Sequence, residues 1–418
     1  MKNKIVRPEI LSPAGNFEKL KSAVYFGADA VYLAGRAFGM RVASGNFSNE
    51  ELIEAVKYCH ERNVKLYVTV NIMPRDGEYP ALKEFLVFLE EIGVDAVIVS
   101  DLGVLMLCRQ CAPSLEIHIS TQASTVSSET CKAWHALGAS RVVLARELSL
   151  EAVKRIRDNI PPELEIECFV HGSMCIAYSG RCLLSQHYVG RDANRGACAQ
   201  PCRWIYAAEG EKYLEIAEEK RLTEKLPVIE SDGESFVMSS RDMCTIEHIP
   251  DLVRAGITSF KLEGRVRSAY YTAVVTNTYK MALDAYMADP DNYKFDPLWL
   301  NELNSVSHRA YGTGFFYTDP KEDANIVSEA GYMREKAYLA SCVTASDENG
   351  FATFMQRNKI VRGSEAELLT PGRVGKAFVA DEMYSPEGEP LESAPHPGME
   401  FKLKVPFPVK VGDIIRGV

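Results

Sequence analysis

Short apolar or β-branched segments recur through the first part of the chain, and each is followed by residues with helical spacing. Strands that are buried on both faces read as continuous apolar runs of this kind. Eight alternating units predict an α/β fold, a (β/α)8 TIM-like barrel, and a doubly wound open sheet is the alternative. The eight runs are EILSPA at 9–14, AVYLAG at 30–35, KLYVTVN at 65–71, AVIVSDL at 96–102, EIHISTQ at 116–122, RVVLARE at 141–147, EIECFVHG at 165–172 and SFKLEGR at 259–265.

The polar faces of the intervening segments indicate where helices begin. EELIEAVKYCHERN and SLEAVKRIRDN have the spacing of amphipathic helices. Asn49 precedes the first segment and Ser149 begins the second, and each is followed by acidic residues, so both are predicted N-caps.

Polar residues stand at the carboxyl ends of six of the predicted strands. Active sites of (β/α)8 barrels form at this end, so six such residues together predict a functional rim. The alternative for any single one is a helix cap, and this alternative weighs most for Asp101. The six are Asn71, Asp101, Gln122, Glu147, His171 and Glu263.

A long insertion interrupts the alternation after the seventh strand. Residues 173–258 contain a group of four cysteines, then an acidic stretch at 209–235, and then the segment VMSSRDMC at 237–244, which is a candidate added strand. From about residue 334 short alternating runs separated by Gly, Pro and Asn predict a small antiparallel β-barrel. The expected domains are therefore a barrel at 1–330, including the cysteine-rich insertion, and a C-terminal domain at 334–418.

Composition narrows the class of protein. We find neither a signal peptide nor an apolar stretch long enough for a membrane span, so we expect a cytoplasmic protein without membrane contact. The net charge of −10 argues against a surface that coats nucleic acid indiscriminately, although a local basic site is compatible with it. Eleven cysteines, an odd number, point to metal ligation or buried thiols rather than to a disulfide framework.

Four of these cysteines are clustered in the insertion with the spacing C-x6-C-x15-C-x3-C. Four thiolates can hold a [4Fe-4S] cluster or a structural zinc ion, and only the last pair has the short spacing of a zinc knuckle. The spacing therefore favours iron-sulfur over zinc, and four unrelated buried thiols are the remaining alternative. The cysteines are Cys175, Cys182, Cys198 and Cys202.

The same segment is basic. Asp192 is the one acid between 171 and 206. The arginines either form a cationic lip that holds phosphate or carboxylate, or offset the negative charge of a thiolate-bound cluster, and both can hold at once. They are Arg181, Arg191, Arg195 and Arg203.

Several long motifs make the chain recognisable. EIECFVHGSMCIAYSGRCLLS at 165–185 and GRDANRGACAQPCRW at 190–204 resemble the signature of the collagenase-like peptidases, peptidase family U32. The opening LSPAGNFEKLKSAVYFGADAVYLA, the segment SSRDMC, and the later KLEGRVRSAYY and SHRAYGTGFF resemble the same family. The resemblance covers nearly the whole chain, and it implies a barrel with an appended β-barrel and a cluster that is held by the four cysteines.

The resemblance also implies a function. Some members of the family are described as proteases, whereas others hydroxylate RNA or quinones without molecular oxygen. The branch that this chain most resembles carries out prephenate-dependent hydroxylation of tRNA, which converts the wobble uridine to 5-hydroxyuridine. We therefore expect a [4Fe-4S] cluster as cofactor, prephenate as co-substrate and the anticodon region of tRNA as partner. A second copy of the chain or a same-family subunit is a further candidate partner.

The candidate site residues follow from the strand ends and from the family motifs. Arg146, Arg241 or Arg265 would clamp the carboxylates of prephenate. Asp242 and Glu263, together with His171, are the candidate catalytic residues, the first two for proton transfer. Gln122 and Glu147 complete the predicted substrate-binding set.

Two other functions stay open. One is a peptidase, although the chain contains neither H-E-x-x-H nor G-x-S-x-G. Cys175 and His171 would then be nucleophile and base, but a cysteine that is bound to iron cannot also attack a peptide. The other is a scaffold protein that is merely stabilised by its cluster.

Overall fold

The chain divides into two compact units. A computed structural model describes residues 6–39, 45–175, 177–178, 181–191, 193–195, 197–203, 215–217, 225–227, 229–231, 234–236, 240–319 and 333–418. The first unit comprises Met1–Phe17, Asp29–Val266 and His308–Tyr332. The second comprises Glu18–Ala28, Arg267–Ser307 and Met333–Val418.

All eight predicted barrel strands are present, so the predicted α/β barrel is confirmed. The strands up to the insertion are β1 (Glu9–Pro13), β2 (Ala30–Leu33), β3 (Lys65–Val70), β4 (Ala96–Val99), β5 (Glu116–Ile119), β6 (Arg141–Val143) and β7 (Glu165–Ser173). The insertion and the end of the unit add β8 (Glu215–Ala217), β9 (Lys225–Pro227), β10 (Ile229–Ser231), β11 (Glu234–Phe236), β12 (Asp242–Cys244), β13 (Ser259–Leu262) and β14 (Tyr311–Gly312). Parallel pairing runs from β1 to β7, and β13 pairs with both β1 and β7, which closes the barrel.

Helices alternate with the strands along the chain. They are α1 (Phe17–Tyr25), α2 (Asn49–His60), α3 (Tyr79–Glu91), α4 (Leu102–Cys111), α5 (Ser128–Ala136), α6 (Leu150–Asp158), α7 (Leu184–Val189), α8 (Ile249–Arg254), α9 (Ala269–Ala288) and α10 (Pro297–Asn304). Every residue of β2 and β4 is buried, as expected for strands that are covered on both faces. In the described parts of the chain, none of the helices is long and apolar enough to cross a membrane.

The helix starts confirm one predicted cap and correct another. Ser149 caps α6, because its side chain accepts a hydrogen bond from the Ala152 amide. Asn49 is not the cap of α2: the cap is Ser48, whose Oγ accepts from the Glu51 amide while the Glu51 carboxylate accepts from the Ser48 amide. This reciprocal capping box satisfies two backbone donors at once, which a cap at Asn49 would not do.

Strand β7 extends past the barrel and carries the added strand. Over Gly172 and its neighbours it pairs antiparallel with β12, and β12 pairs in parallel with β14. The added strand predicted in VMSSRDMC is therefore present over its last three residues, Asp242–Cys244. Residues 237–239 of that segment lie outside the described residues.

The second unit contains the C-terminal antiparallel sheet, which is curled. Its strands are β15 (Tyr338–Thr344), β16 (Phe351–Gln356), β17 (Ile360–Val361), β18 (Ser364–Leu369), β19 (Lys376–Ala380), β20 (Met383–Tyr384), β21 (Ser393–Ala394), β22 (Glu400–Lys404) and β23 (Ile414–Gly417). Seven of them form one sheet in the order β19, β18, β23, β15, β16, β22, β20. The core of the sheet includes Phe354, Phe401 and Leu403, all fully buried.

A buried arginine ties the elements of the second unit together. Arg416 on β23 donates to both carboxylate oxygens of Glu302 on α10 at 2.7 Å, and its Nε donates to Glu367 on β18 at 2.8 Å. The helices α9 and α10 thus belong with the sheet, because α10 supplies the carboxylate that pairs with Arg416.

Candidate active site

A small polar cavity of about 80 Å³ lies at the carboxyl ends of the barrel strands. We call it the mouth cavity. It is lined by Tyr32, Thr69, Asn71, Ile98, Ser120, Thr121, Gln122, Arg146, Phe169, Lys261, Glu263 and Arg265. Five of the residues predicted for the rim or the site are therefore brought together: Asn71, Gln122, Arg146, Glu263 and Arg265.

Two arginines form part of its wall, and both are more than nine-tenths buried. Arg146 donates from Nη1 to the Ser173 carbonyl at 2.8 Å and lies over the ring of Phe169, with 5.2 Å from Cζ to the ring centroid. Arg265 donates from Nη1 to Thr69 Oγ1 at 3.3 Å. These contacts hold two guanidinium groups, the side chain best suited to bidentate binding of carboxylate, at the cavity.

Glu263 is the one carboxylate among the described residues that line the mouth cavity. One carboxylate oxygen accepts a hydrogen bond from the Ser173 amide at 3.3 Å. Gly172 lets the backbone of β7 pass close to Glu263: its φ is +108°, and a Cβ there would lie 2.6 Å from the Glu263 carbonyl oxygen. A glycine is thus required where β7 passes the end of β13.

Lys261, on β13, also lines the cavity, and the sequence reasoning missed it. Its Nζ lies 2.5 Å from Glu167 Oε1 and 4.5 Å from the ring centroid of Tyr32. Burial lowers the pKa of Lys261, although the adjacent Glu167 carboxylate opposes this shift. A lysine inside an apolar strand was the signal that could have identified it, since Lys is almost never fully buried unless it is paired.

A buried ion-pair network inside the barrel continues from Lys261. Arg141 lies 3.1 Å from Glu167 and 2.7 Å from Glu9, and Tyr67 donates to the other oxygen of Glu9 at 2.7 Å. Burial alone would raise the pKa of Glu167, but Lys261 and Arg141 bring it below the ordinary value. We call this set, Glu9, Arg141, Glu167 and Lys261, the inner network.

Asp242 and His171 do not line the mouth cavity. Asp242 is buried and accepts hydrogen bonds from Arg309, from Nη2 at 2.6 Å and Nε at 3.0 Å. His171 is also buried, with its ring 5.5 Å from that of Tyr311. Arg241, half-buried ahead of β12, is likewise outside the cavity lining. The roles predicted for these three residues stay predictions.

Two further strand-end residues have other surroundings. Asp101 caps α4, because its carboxylate accepts from the Val104 amide at 3.1 Å. Glu147 lines a separate open groove of about 910 Å³ whose walls include residues of α6 and α8. Burial raises the pKa of Glu147, and the adjacent Arg146 opposes the shift. The substrate-binding role predicted for Glu147 stays a prediction.

The cysteine segment is attached to the rim of the barrel. Arg181 Nη2 donates to the Gln122 carbonyl at 3.4 Å. Arg195 donates to the Met73 carbonyl at 3.0 Å and pairs with Glu78 at 2.7 Å. These contacts hold the segment beside the mouth cavity, because Gln122 belongs to the cavity wall and Met73 follows β3.

The four clustered cysteines fit an iron-sulfur cluster in their chemistry. Each is half-buried and outside any disulfide, and the Gln200 amide donates to Cys198 Sγ at 3.4 Å, a contact that suits a thiolate ligand. Among the described residues, however, no three His, Cys, Asp or Glu side chains converge on one metal position. The cysteines are Cys175, Cys182, Cys198 and Cys202.

Comparison with known proteins identifies relatives over the full length of the chain. Residues 15–326 match the model of peptidase family U32, and residues 334–416 match that family's C-terminal domain. The tRNA hydroxylation protein P1 of Bacillus subtilis (strain 168) is 35% identical, over 98% of this chain and 94% of that protein.

Of two other relatives, one is again named for tRNA hydroxylation and the other is named as a collagenase. The tRNA hydroxylation protein P of Escherichia coli (strain K12) is 34% identical, over 96% of this chain and 94% of that protein. The Collagenase of Porphyromonas gingivalis (strain ATCC BAA-308 / W83) is 31% identical, over 87% of this chain and 86% of that protein.

Proposed function

Since the chain belongs to peptidase family U32, we propose that it is a tRNA-modifying enzyme that hydroxylates uridine. In detail, it converts the wobble uridine to 5-hydroxyuridine without molecular oxygen, with prephenate as co-substrate and a [4Fe-4S] cluster as cofactor. One observation carries the proposal: identity of 34–35% extends over both domains to two proteins that are named for tRNA hydroxylation.

The charge of the mouth cavity supports an organic anion as co-substrate. Three cationic side chains, Arg146, Lys261 and Arg265, line it together with the carboxylate of Glu263. Lys261 is paired with Glu167, and we assign the contact with a ligand carboxylate to the two arginines. Prephenate has two carboxylates, and a guanidinium can bind each of them with two parallel hydrogen bonds.

The size of the mouth cavity separates the two substrates. A volume of about 80 Å³ is well below the roughly 300 Å³ at which whole-ligand pockets begin. It suits one carboxyl-bearing end of a small molecule. The uridine, which has to leave the base stack for chemistry at C5, is then bound above it and meets the co-substrate at the rim.

Glu263 is the candidate for proton transfer. It is the carboxylate that lines the cavity among the described residues, and one of its oxygens accepts a hydrogen bond from the Ser173 amide. A carboxylate that is held in this way can act as a proton acceptor.

Cys175, Cys182, Cys198 and Cys202 would hold the cluster beside this cavity. When bound, the cluster supplies one-electron redox chemistry, which amino-acid side chains lack. The basic residues of the same segment would offset the negative charge of the thiolate-ligated cluster. This lowers the electrostatic cost of binding the carboxylates of prephenate near the cluster.

The test is complementation in a strain that lacks every tRNA hydroxylation protein. Expression of this chain should restore 5-hydroxyuridine in tRNA, measured by mass spectrometry of digested nucleosides. Expression of the Arg265→Met variant should not, whereas Arg155→Ala, which changes an exposed arginine on α6, should restore it fully. Absence of 5-hydroxyuridine with the unaltered chain, despite normal protein levels, would rule the function out.

The cofactor and the co-substrate need separate measurements. Protein that is purified without oxygen should be coloured and contain about four iron atoms per chain, as a [4Fe-4S] centre requires. Blocking prephenate synthesis in the complemented strain should remove 5-hydroxyuridine. A colourless, metal-free protein that still complements would leave tRNA hydroxylation standing and remove the cluster from it.

Peptidase activity is the second candidate, and the identity to the Collagenase of Porphyromonas gingivalis favours it. Cleavage of gelatin by cluster-free protein, lost in the Cys175→Ala variant, would support it. A scaffold role predicts instead that loss of the cluster unfolds the protein and that neither activity exists.

A further inference from the structure

An exposed group of aromatic, aliphatic and basic side chains stands on the cysteine segment. Tyr178 is 45% exposed, Leu183 77% and Tyr188 53%, and the side chains of Arg181 and Arg191 are exposed beside them in the chain. We call these five residues the rim patch. Large side chains at this exposure are normal singly, but a group of them marks a binding surface.

Hydrogen bonds fix the part of the segment that carries Tyr188 and Arg191. Ser185 in α7 is buried, and its Oγ accepts a hydrogen bond from the Ala199 amide at 2.9 Å. The Arg191 amide donates to the Ser185 carbonyl, and its Nε donates to the Ala197 carbonyl at 2.7 Å. Residues 197–200 therefore cover α7 at Ser185, whereas Tyr188, almost one turn further along the helix, is exposed.

The rim patch lies next to the mouth cavity. Arg181, which belongs to the patch, donates to the carbonyl of Gln122 in the cavity wall. The salt bridge between Arg195 and Glu78 anchors the same segment at the start of α3. A long molecule that binds to the rim patch would therefore extend to the mouth cavity.

The charge of the segment is opposite to that of the chain. Residues 171–206 contain four arginines and one aspartate, whereas the whole chain has a net charge of −10. An anionic polymer would thus be repelled by much of the surface and attracted here. Confining positive charge to one place steers such a partner to one orientation.

We propose that the rim patch binds unpaired nucleotides of an RNA loop, with bases stacked on Tyr178 and Tyr188 and phosphates contacted by Arg181 and Arg191. The inference rests on the proposed function and names the surface by which this chain holds its RNA. Exposed aromatic rings interleaved with arginines are the combination that single-stranded nucleic acid requires, because every base offers a face for stacking. Unpaired nucleotides are also those from which a base can be extruded at low cost.

The C-terminal sheet offers a weaker surface for the same partner. Lys404 pairs with Glu382, and Lys402 donates to the Pro386 carbonyl. The charge of Lys404 is thus already offset, and no exposed aromatic pair accompanies the two lysines among the exposed large side chains of the described residues. We therefore assign the RNA contact to the rim patch.

The experiment measures binding of an unmodified anticodon stem-loop transcript to the full-length protein, prepared without oxygen, by fluorescence anisotropy. Tyr188→Ala should weaken binding about tenfold, and Tyr188→Phe, which keeps the ring, should restore it. Replacing both Arg181 and Arg191 with alanine should lower the slope of log Kd against log salt by about 1.4, or about 0.7 for each lost phosphate contact. Arg155→Ala is the matched charge control and should bind as the unaltered protein does.

The outcomes separate this inference from the proposed function. If the unaltered protein binds the stem-loop and complements the tRNA modification, but the tyrosine and arginine variants bind equally well, the rim patch is the wrong surface while the function stands. If the same variants bind RNA normally but lose a co-purifying protein, the patch is a protein-docking surface and the inference is overturned. Thermal melting of each variant verifies the fold, which exposed side chains should not affect.

Discussion

Two arginines of the same barrel segment, Arg141 and Arg146, are both buried, yet they differ in what surrounds them. Arg141 sits in the inner network, where Glu9 and Glu167 offset its charge. Arg146 sits at the mouth cavity, where it contacts a backbone carbonyl and the face of Phe169. In the inner network, carboxylates match the cations, whereas at the mouth the cations outnumber them.

The difference teaches how burial should be interpreted. A buried cation that is matched by carboxylates is explained by the fold itself, because removal of one partner leaves the others uncompensated. Buried cations in excess, at the end of the barrel where active sites form, call for a ligand that carries negative charge. The following predictions test whether the two regions differ in this way.

The largest effect is expected in the inner network. Arg141→Met leaves the fully buried Glu167 with Lys261 as its one cation in the inner network and removes the cation that Glu9 contacts. The free energy of unfolding should therefore fall by about 3–5 kcal/mol. Urea denaturation monitored by circular dichroism measures this. The control is Arg155→Ala, which breaks an exposed pair with Glu151 and should change stability by less than about 1 kcal/mol. If Arg141→Met lowered the free energy of unfolding as little as Arg155→Ala does, the inner network would not be needed to stabilise the barrel.

The next effect is expected at the mouth. Arg146→Met and Arg265→Met should each lower kcat/KM for prephenate by roughly a hundredfold or more, because each removes a buried charge that pairs with the ligand. Neither should lower the free energy of unfolding by as much as Arg141→Met does, since no buried carboxylate in the inner network is abandoned. Turnover of a tRNA substrate at graded prephenate concentrations, alongside urea curves, gives both quantities. If Arg146→Met and Arg265→Met instead lowered the free energy of unfolding strongly while the folded protein kept full activity, these arginines would serve stability and not ligand binding.

A smaller effect separates the two candidate carboxylates. Glu263→Gln should lower kcat about a hundredfold with little change in prephenate affinity, as loss of a proton acceptor does. Asp242→Asn removes the charge that faces Arg309, so it should act on stability first. If Asp242→Asn were as stable as the unaltered protein but had a lower kcat, the catalytic role predicted for Asp242 would be supported instead.

The smallest effect concerns pH. The pKa of Glu167 is lowered in the folded protein because Lys261 and Arg141 outweigh the effect of burial, and the pKa of Glu367 is lowered by Lys336 and Arg416 in the same way. A carboxyl with a depressed folded pKa contributes stability above its unfolded pKa of about 4.3 and loses it as the pH falls through the folded value. The Tm should therefore be steady near neutrality and fall below about pH 4. In Glu167→Gln that fall should be shallower.

Local pattern predicted the barrel well because each of its strands is buried on both faces and reads as an apolar run. The same logic missed β23, Ile414–Gly417, which lies between β15 and β18. Its four residues follow a glycine and an aspartate and include Arg416. A charged residue is not expected in a central strand, so the segment does not read as one. Only the partners Glu302 and Glu367, far away in the chain, explain that arginine.

The mouth cavity was predicted in part. Gln122, Arg146, Glu263 and Arg265 follow strands directly, so their place at the rim could be inferred from position alone. Position alone did not indicate Lys261, because it lies inside a strand and its carboxylate partner Glu167 is on another; only its residue type, a lysine in an apolar run, distinguished it. The pairing of Asp242 with Arg309 joins residues from distant parts of the chain, and no local spacing indicates it.

The most direct test of the account is a calorimetric titration of prephenate into the protein, prepared without oxygen and without RNA. The unaltered protein and Arg155→Ala should bind prephenate with equal affinity, and Arg146→Met and Arg265→Met should each bind it at least tenfold more weakly while remaining folded. If both mouth variants bind prephenate as tightly as the unaltered protein, the cations of the mouth cavity do not serve a carboxylate ligand, and the contrast with the inner network loses its functional meaning.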